Sequence, residues 1–184
     1  MVRAFLFIAT VILAGLVNQA PAKAQRFADY PETNVEYYEV TGKRARAVRA
    51  DINRKRPAAF DGGPRFDARA SYYFSWTTRG SGPRCNATLT IETSVRIPKL
   101  AASAQLSKKD QARWSDYVEA LEAHEVGHIA LAYKAMPDIR AALEGGPCES
   151  ANDRAKVILD NLAMRQREFD RITDHGRKTG STFP

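Results

Sequence analysis

The sequence predicts an α+β domain in which a small antiparallel sheet packs against one long helix and a C-terminal helix. Three observations predict it. Apolar residues alternate with polar ones up to about residue 97, they recur at spacings of three and four after Pro98, and a pair of histidines four apart lies on that second pattern.

The elements follow in chain order. Arg3 precedes an almost unbroken apolar run from Ala4 to Val17, and Ala22-Lys23-Ala24 has the small-x-small form accepted by a signal peptidase. Residues 1–24 are therefore expected to be a cleaved signal peptide. The run is shorter than the roughly 20 apolar residues that span a bilayer, so no stable membrane anchor is expected after cleavage. The remainder, residues 25–184, suits one domain. The expected location is outside the cytoplasm.

Val35 to Val40 reads as a short strand and Arg44 to Asn53 as a basic helix stopped by Pro57, with a loop over 60–69. Tyr72, Phe74 and Trp76 alternate with Tyr73, Ser75 and Thr77; Leu89, Ile91, Val95 and Ile97 alternate with Thr88, Thr90, Glu92, Ser94 and Arg96. These are two half-buried strands. Gly80-Ser81-Gly82-Pro83 between them reads as the turn of an antiparallel hairpin. Ser107 is an N-cap candidate for a helix whose stripe runs through Trp114, Tyr117, Val118, Leu121, Leu131, Ala135 and Ile139. A last helix, Glu149 to Ile172, carries Ala151, Ala155, Ile158, Leu162, Phe169 and Ile172 on one side.

The net charge is +7, and Lys43 to Arg56 is rich in arginine and lysine. Those charges sit at helical spacing among Ala, Val and Ile without interleaved aromatics to stack bases, which describes a solvated helix face and excludes nucleic acid as the expected partner. Two cysteines, Cys85 and Cys148, have no neighbour at metal-knuckle spacing, so in an oxidising compartment they are expected to form one disulfide. Closing a loop of that length contributes on the order of 4 kcal/mol by the chain-entropy estimate.

The chemistry is concentrated in His124-Glu125-Val126-Gly127-His128. Histidines four apart on a helix project from one face, one turn apart, so both imidazoles reach one tetrahedral zinc ion. Glu125, offset by one residue, falls beside the metal rather than on it. There it can take a proton from a zinc-activated water during attack on a peptide carbonyl and deliver it to the leaving amine. One Zn2+ per chain, and a protein or peptide substrate, are thus expected. Extending the apolar stripe through its gap places these three residues on the core-facing side of the helix.

A catalytic zinc needs a third protein ligand. His175, the remaining histidine, follows the last helix just before Gly176, which can end that helix. Asp170 is the alternative, as ligand or as a partner orienting a ligand imidazole. Glu144, Glu149, Glu168 and Asp174 are weaker candidates, and Tyr72, Tyr73 or an arginine is a candidate for stabilising the oxyanion. Two other readings stay open at this stage: a non-catalytic zinc-binding envelope protein, and a basic envelope-binding module using Lys43 to Arg56.

The chain resembles the bacterial DUF922 group, described as predicted secreted zinc-dependent proteases. The resemblance lies in Tyr37-Tyr38-x-Val40-x-Gly42, His124 to His128, and Phe169-Asp170-x-x-Thr173-x-His175-Gly176, where Phe169 stands in place of the group's tyrosine. It implies a bacterial exported protein, in the periplasm or secreted to the medium, with a zincin-like arrangement of sheet and active-site helix.

Overall fold

The computed structural model describes residues 26–58, 65–80 and 83–184; the expected signal peptide lies outside them. The described chain is α+β, with a three-stranded sheet and three helices. The strands are β1 (Thr33–Val40), β2 (Arg69–Arg79) and β3 (Asn86–Leu100), and the helices α1 (Ala45–Lys55), α2 (Lys108–Glu144) and α3 (Ala151–Thr173).

The central strand is β3, flanked by β1 and β2. The β2–β3 pair is antiparallel, as the hairpin pattern predicts, with Phe74 opposite Ile91 and Trp76 opposite Leu89. The first strand pairs with β3 in parallel, Val35 opposite Val95 and Tyr37 opposite Ile97, so the sheet is mixed rather than wholly antiparallel. Strand direction across such a pair depends on the path of the connection, here through α1 and β2, which residue alternation does not encode.

The sheet turns one face to α2. Leu89, Ile91, Val95 and Ile97 are buried along β3, and Thr93 among them satisfies its hydroxyl on Thr33 Oγ1 at 2.8 Å. One core group joins Tyr38, Val40, Val48 and Ile52 to Trp114, Tyr117 and Leu121. A second joins Phe74 and Leu89 to Ala135, Ile139 and Leu143 of α2 and to Ala155 and Leu162 of α3. The long helix begins as expected, Ser107 Oγ accepting from the Asp110 backbone N–H at 3.2 Å. It continues past Pro137 to Glu144, about 55 Å at 1.5 Å per residue.

The turn into α3 is fixed by Arg154, whose guanidinium donates to the α2 carbonyls of Ala142 (2.6 Å) and Leu143 (3.0 Å) and to that of Pro147 (3.1 Å). Terminal helix carbonyls have no partner within their own helix, so this arginine both caps α2 and docks α3 against it. The two helices consequently run antiparallel, and residues near 166–170 come back to residues 124–128. Cys85 and Cys148 are bonded to each other, tying the start of β3 to the short segment between α2 and α3. No helix among the described residues is long and apolar enough to cross a membrane.

Candidate metal centre

His124 and His128 point from the same face of α2, and their Nε2 atoms are 3.2 Å apart. One carboxylate oxygen of α3, Asp170 Oδ1, lies 3.2 Å from His124 Nε2 and 3.1 Å from His128 Nε2. These three residues are the group whose donor atoms all lie within 4.8 Å of one another among the described residues. His175 reaches the same Asp170 oxygen through Nδ1 at 3.4 Å. All three histidines therefore converge on Asp170.

The hydrogen bonds around His128 decide what its ring can offer. Gln166 donates from Nε2 to the His128 carbonyl at 3.0 Å, which leaves its Oε1 facing His128 Nδ1 at 2.6 Å. An amide oxygen accepts only, so Nδ1 carries a proton and the lone pair of the neutral ring is on Nε2, aimed at His124 and Asp170. The Nε2 lone pair of neutral His128 and the Asp170 carboxylate oxygen 3.1 Å away, with His124 Nε2 3.2 Å from each, repel unless a proton or another positive charge sits among them. The donor set fits a metal ion: edges of 3.1–3.2 Å are close to the roughly 3.3 Å expected of a tetrahedron with bonds of 2.0–2.1 Å.

Protonation behaviour follows the same electrostatics. Burial by itself would lower the His128 pKa, but the hydrogen bonds to Asp170 and Gln166 and the nearby Glu125 charge outweigh it and raise it. For Asp170 burial acts upward and is outweighed by the hydrogen bonds with His124 and His128, which hold its carboxyl well below the usual carboxylate range. Glu125 moves the other way. It is 5% exposed, and desolvation pushes its carboxyl above the ordinary glutamate value despite the histidines and the Ala70 N–H, which donates to Oε2 at 2.5 Å.

Phe169 holds both imidazoles. Its ring stacks on His124 with centroids 5.0 Å apart and meets His128 edge-on at the same distance. This explains the glycine inside the motif: a Cβ on Gly127 would lie 2.5 Å from Phe169 Cζ and 2.9 Å from Cε1. Gly127→Ala gains about 1 kcal/mol of helix propensity, yet the clash is expected to dominate with a net destabilisation of about 1–2 kcal/mol. Denaturant unfolding measures it, and adding Phe169→Leu should recover part of the loss if that ring is the obstacle.

After α3 the chain turns sharply. Asp174, His175 and Gly176 all have left-handed backbone conformations (φ 52°, 50° and 79°), and the His175 N–H returns to the Asp170 carbonyl at 2.8 Å. Two consecutive non-glycine residues in that region carry strain, and the turn directs His175 back toward the cleft, its ring stacked on Phe66 at 4.3 Å. Gly176 is confined as well, since a Cβ there would lie 2.0 Å from Ser181 Oγ and 3.1 Å from His124 Cγ.

The site opens into a cleft of about 1040 Å³ that also reaches the start of β2 and the segment before it. Tyr72 lines the cleft, whereas Tyr73, on the opposite side of the pleat, is 66% exposed. The weaker ligand candidates lie elsewhere: Glu144 accepts from the Ala87 N–H, Glu149 sits in the α2–α3 connection, and Glu168 and Asp174 pair with Arg171 and Arg177. Several cleft residues escaped the sequence reading. Gln166 had a legible signal, four residues before Asp170 on the same helix face. Asp67, which accepts from Arg49 (2.5 and 2.6 Å) and Tyr117 (2.9 Å), had none.

Fold and site together define an α+β domain with a histidine–carboxylate cluster between two antiparallel helices, open to a cleft beside a sheet edge. The chain belongs to the family described as bacterial protein of unknown function (DUF922), whose model matches residues 35–176. Neither the curated proteins nor the solved structures include a match to this chain.

Proposed function

We propose that this chain is an exported zinc-dependent peptidase of zincin type, holding one Zn2+ through His124, His128 and Asp170, with Glu125 as general base. The observation that carries the reading is the convergence of two imidazole Nε2 atoms and one carboxylate oxygen at 3.1–3.2 Å, with a buried glutamate one residue away. Zinc bound there would supply an activated water and an electrophile for a peptide carbonyl.

The protein's own groups would do the rest. Gln166 fixes the His128 tautomer, and Phe169 fixes the angle between the rings. Glu125, anchored through Oε2 on the Ala70 N–H, keeps its second oxygen for the proton of the attacking water and returns it to the leaving amine. Among the described residues β2 pairs only with β3, which leaves its other edge without a neighbouring strand, and Ala68 to Tyr72 run along the cleft. An extended peptide can align there by main-chain hydrogen bonds. Tyr72, which lines the cleft and whose side chain engages Gln166, is the candidate for the developing oxyanion. His175 would steady Asp170. The export part of the reading is supported by the Cys85–Cys148 bond, which suits an oxidising compartment.

The test is metal analysis of the purified mature domain. About one zinc per chain is expected, lost in His124→Ala and in His128→Ala while the disulfide and the helical signal persist. Unchanged zinc in both variants would end the metalloprotein reading.

A further inference from the structure

Among the described residues, the wall of the cleft formed by residues 49–57 and 65–69 carries more positive charge than it neutralises. Its one carboxylate among the residues lining the cleft, Asp67, is taken on both oxygens by Arg49, and Tyr117 adds a third donor. Arg56 is left over. Its Nη1 stands 3.7 Å from Asp67 Oδ1, beyond hydrogen-bond distance, and its Nε is buried without an acceptor. Arg65 spends its donors on the carbonyls of Pro57, Arg54 and Arg56, dipoles that orient the guanidinium without cancelling its charge. The other carboxylates lining the cleft, Glu125 and Asp170, belong to the helices and are engaged by the Ala70 N–H and by the histidines. Arg56 is only 31% exposed, so an anion meeting it loses less of the interaction to solvent than at an open surface.

We propose that this wall is a carboxylate-recognition subsite, and that the chain takes peptides that present a carboxylate group to Arg56 and Arg65. The proposal rests on the peptidase reading for its occupant, a peptide lying along β2, and adds the chemistry of the residue it selects. The planar guanidinium of Arg56 offers a carboxylate paired N–H donors, which a lysine ammonium does not. A side-chain carboxylate and a free C-terminal carboxylate satisfy the same requirement.

The experiment is a calorimetric titration of zinc-supplemented Glu125→Gln chain, to prevent turnover, with blocked alanine pentapeptides. One set carries glutamate at each position in turn, a second carries glutamine there, and a third ends in a free carboxylate. At least one glutamate register, or the free acid, should bind about tenfold or more tightly than its neutral counterpart, and the difference should shrink as salt is raised. Adding Arg56→Gln should bring the ratio to within about twofold, Arg56→Lys should keep part of it, and Arg65→Gln should reduce it. Thermal melts confirm folding, and if Arg56→Gln fails to fold, the Arg65→Gln ratio decides. Equal binding of charged and neutral peptides in every register, no peptide binding at all, or a preference that survives the arginine substitutions each overturns the proposal. Which arm binds identifies the source of the carboxylate. The two readings separate cleanly: a glutamate-selective peptide that the wild type never cleaves removes the peptidase and leaves the subsite, whereas cleavage without charge preference does the reverse.

Discussion

Glu125→Gln is expected to lower peptide hydrolysis by about 10²-fold or more while leaving zinc content and folding nearly unchanged. Glutamine keeps the shape of the side chain and keeps an oxygen for the Ala70 N–H, the contact that docks this residue on β2 at 2.5 Å. It loses only the capacity to accept a proton. Because the native carboxylate is buried and disfavoured by desolvation, a neutral amide at the same place should not weaken the fold. A panel of denatured proteins and envelope peptides supplies the substrate, after which steady-state rates and zinc content are measured on the same preparations. Equal rates in wild type and variant, both carrying zinc, would remove Glu125 from the chemistry and give precedence to a structural zinc.

Asp170→Ala should lower zinc affinity by roughly 100-fold or more, and His175→Ala by only about tenfold. The reasoning is geometric. Asp170 Oδ1 lies 3.1–3.2 Å from both Nε2 atoms of the helix pair, while His175 meets the cluster through a 3.4 Å contact with that same oxygen. Removing Asp170 takes away a donor and the negative charge opposing the ion. Removing His175 frees one side of a carboxylate that the two other histidines still approach. Competition titration with a chelating dye measures both variants. The opposite ranking, with His175→Ala the more damaging for affinity and activity together, would place His175 on the ion and Asp170 behind it.

Much of this architecture is legible in the residue order because it is local. The α+β class follows from the change of period near residue 98, the start of α2 from Ser107, and the pairing of His124 with His128 from helical geometry alone. The β2–β3 hairpin is legible for the same reason, its two strands being joined by a short turn. The parallel placement of β1 is not, since it depends on how a helix and another strand are routed before β3 forms. The basic segment is half legible: Arg46 stands exposed as a solvated face requires, while Arg49 and Arg56 turn inward to Asp67. Nothing in their spacing marks that difference, because their partner, Asp67, lies in a separate segment just before β2.

The sequence by itself determined which residues could share a metal and which could carry its proton, because spacing along one helix sets the relative positions of His124, Glu125 and His128 within a turn. Only the tertiary structure decided what completes the cluster. Arg154 docks α3 antiparallel to α2, and that docking brings Asp170, Gln166 and Phe169 onto the two imidazoles across some 40 residues of chain. The left-handed turn after α3 then carries His175 to Asp170 rather than away from it. Contacts between elements depend on which faces pack and in which direction, and those are properties of the assembled core rather than of any single stretch of residues.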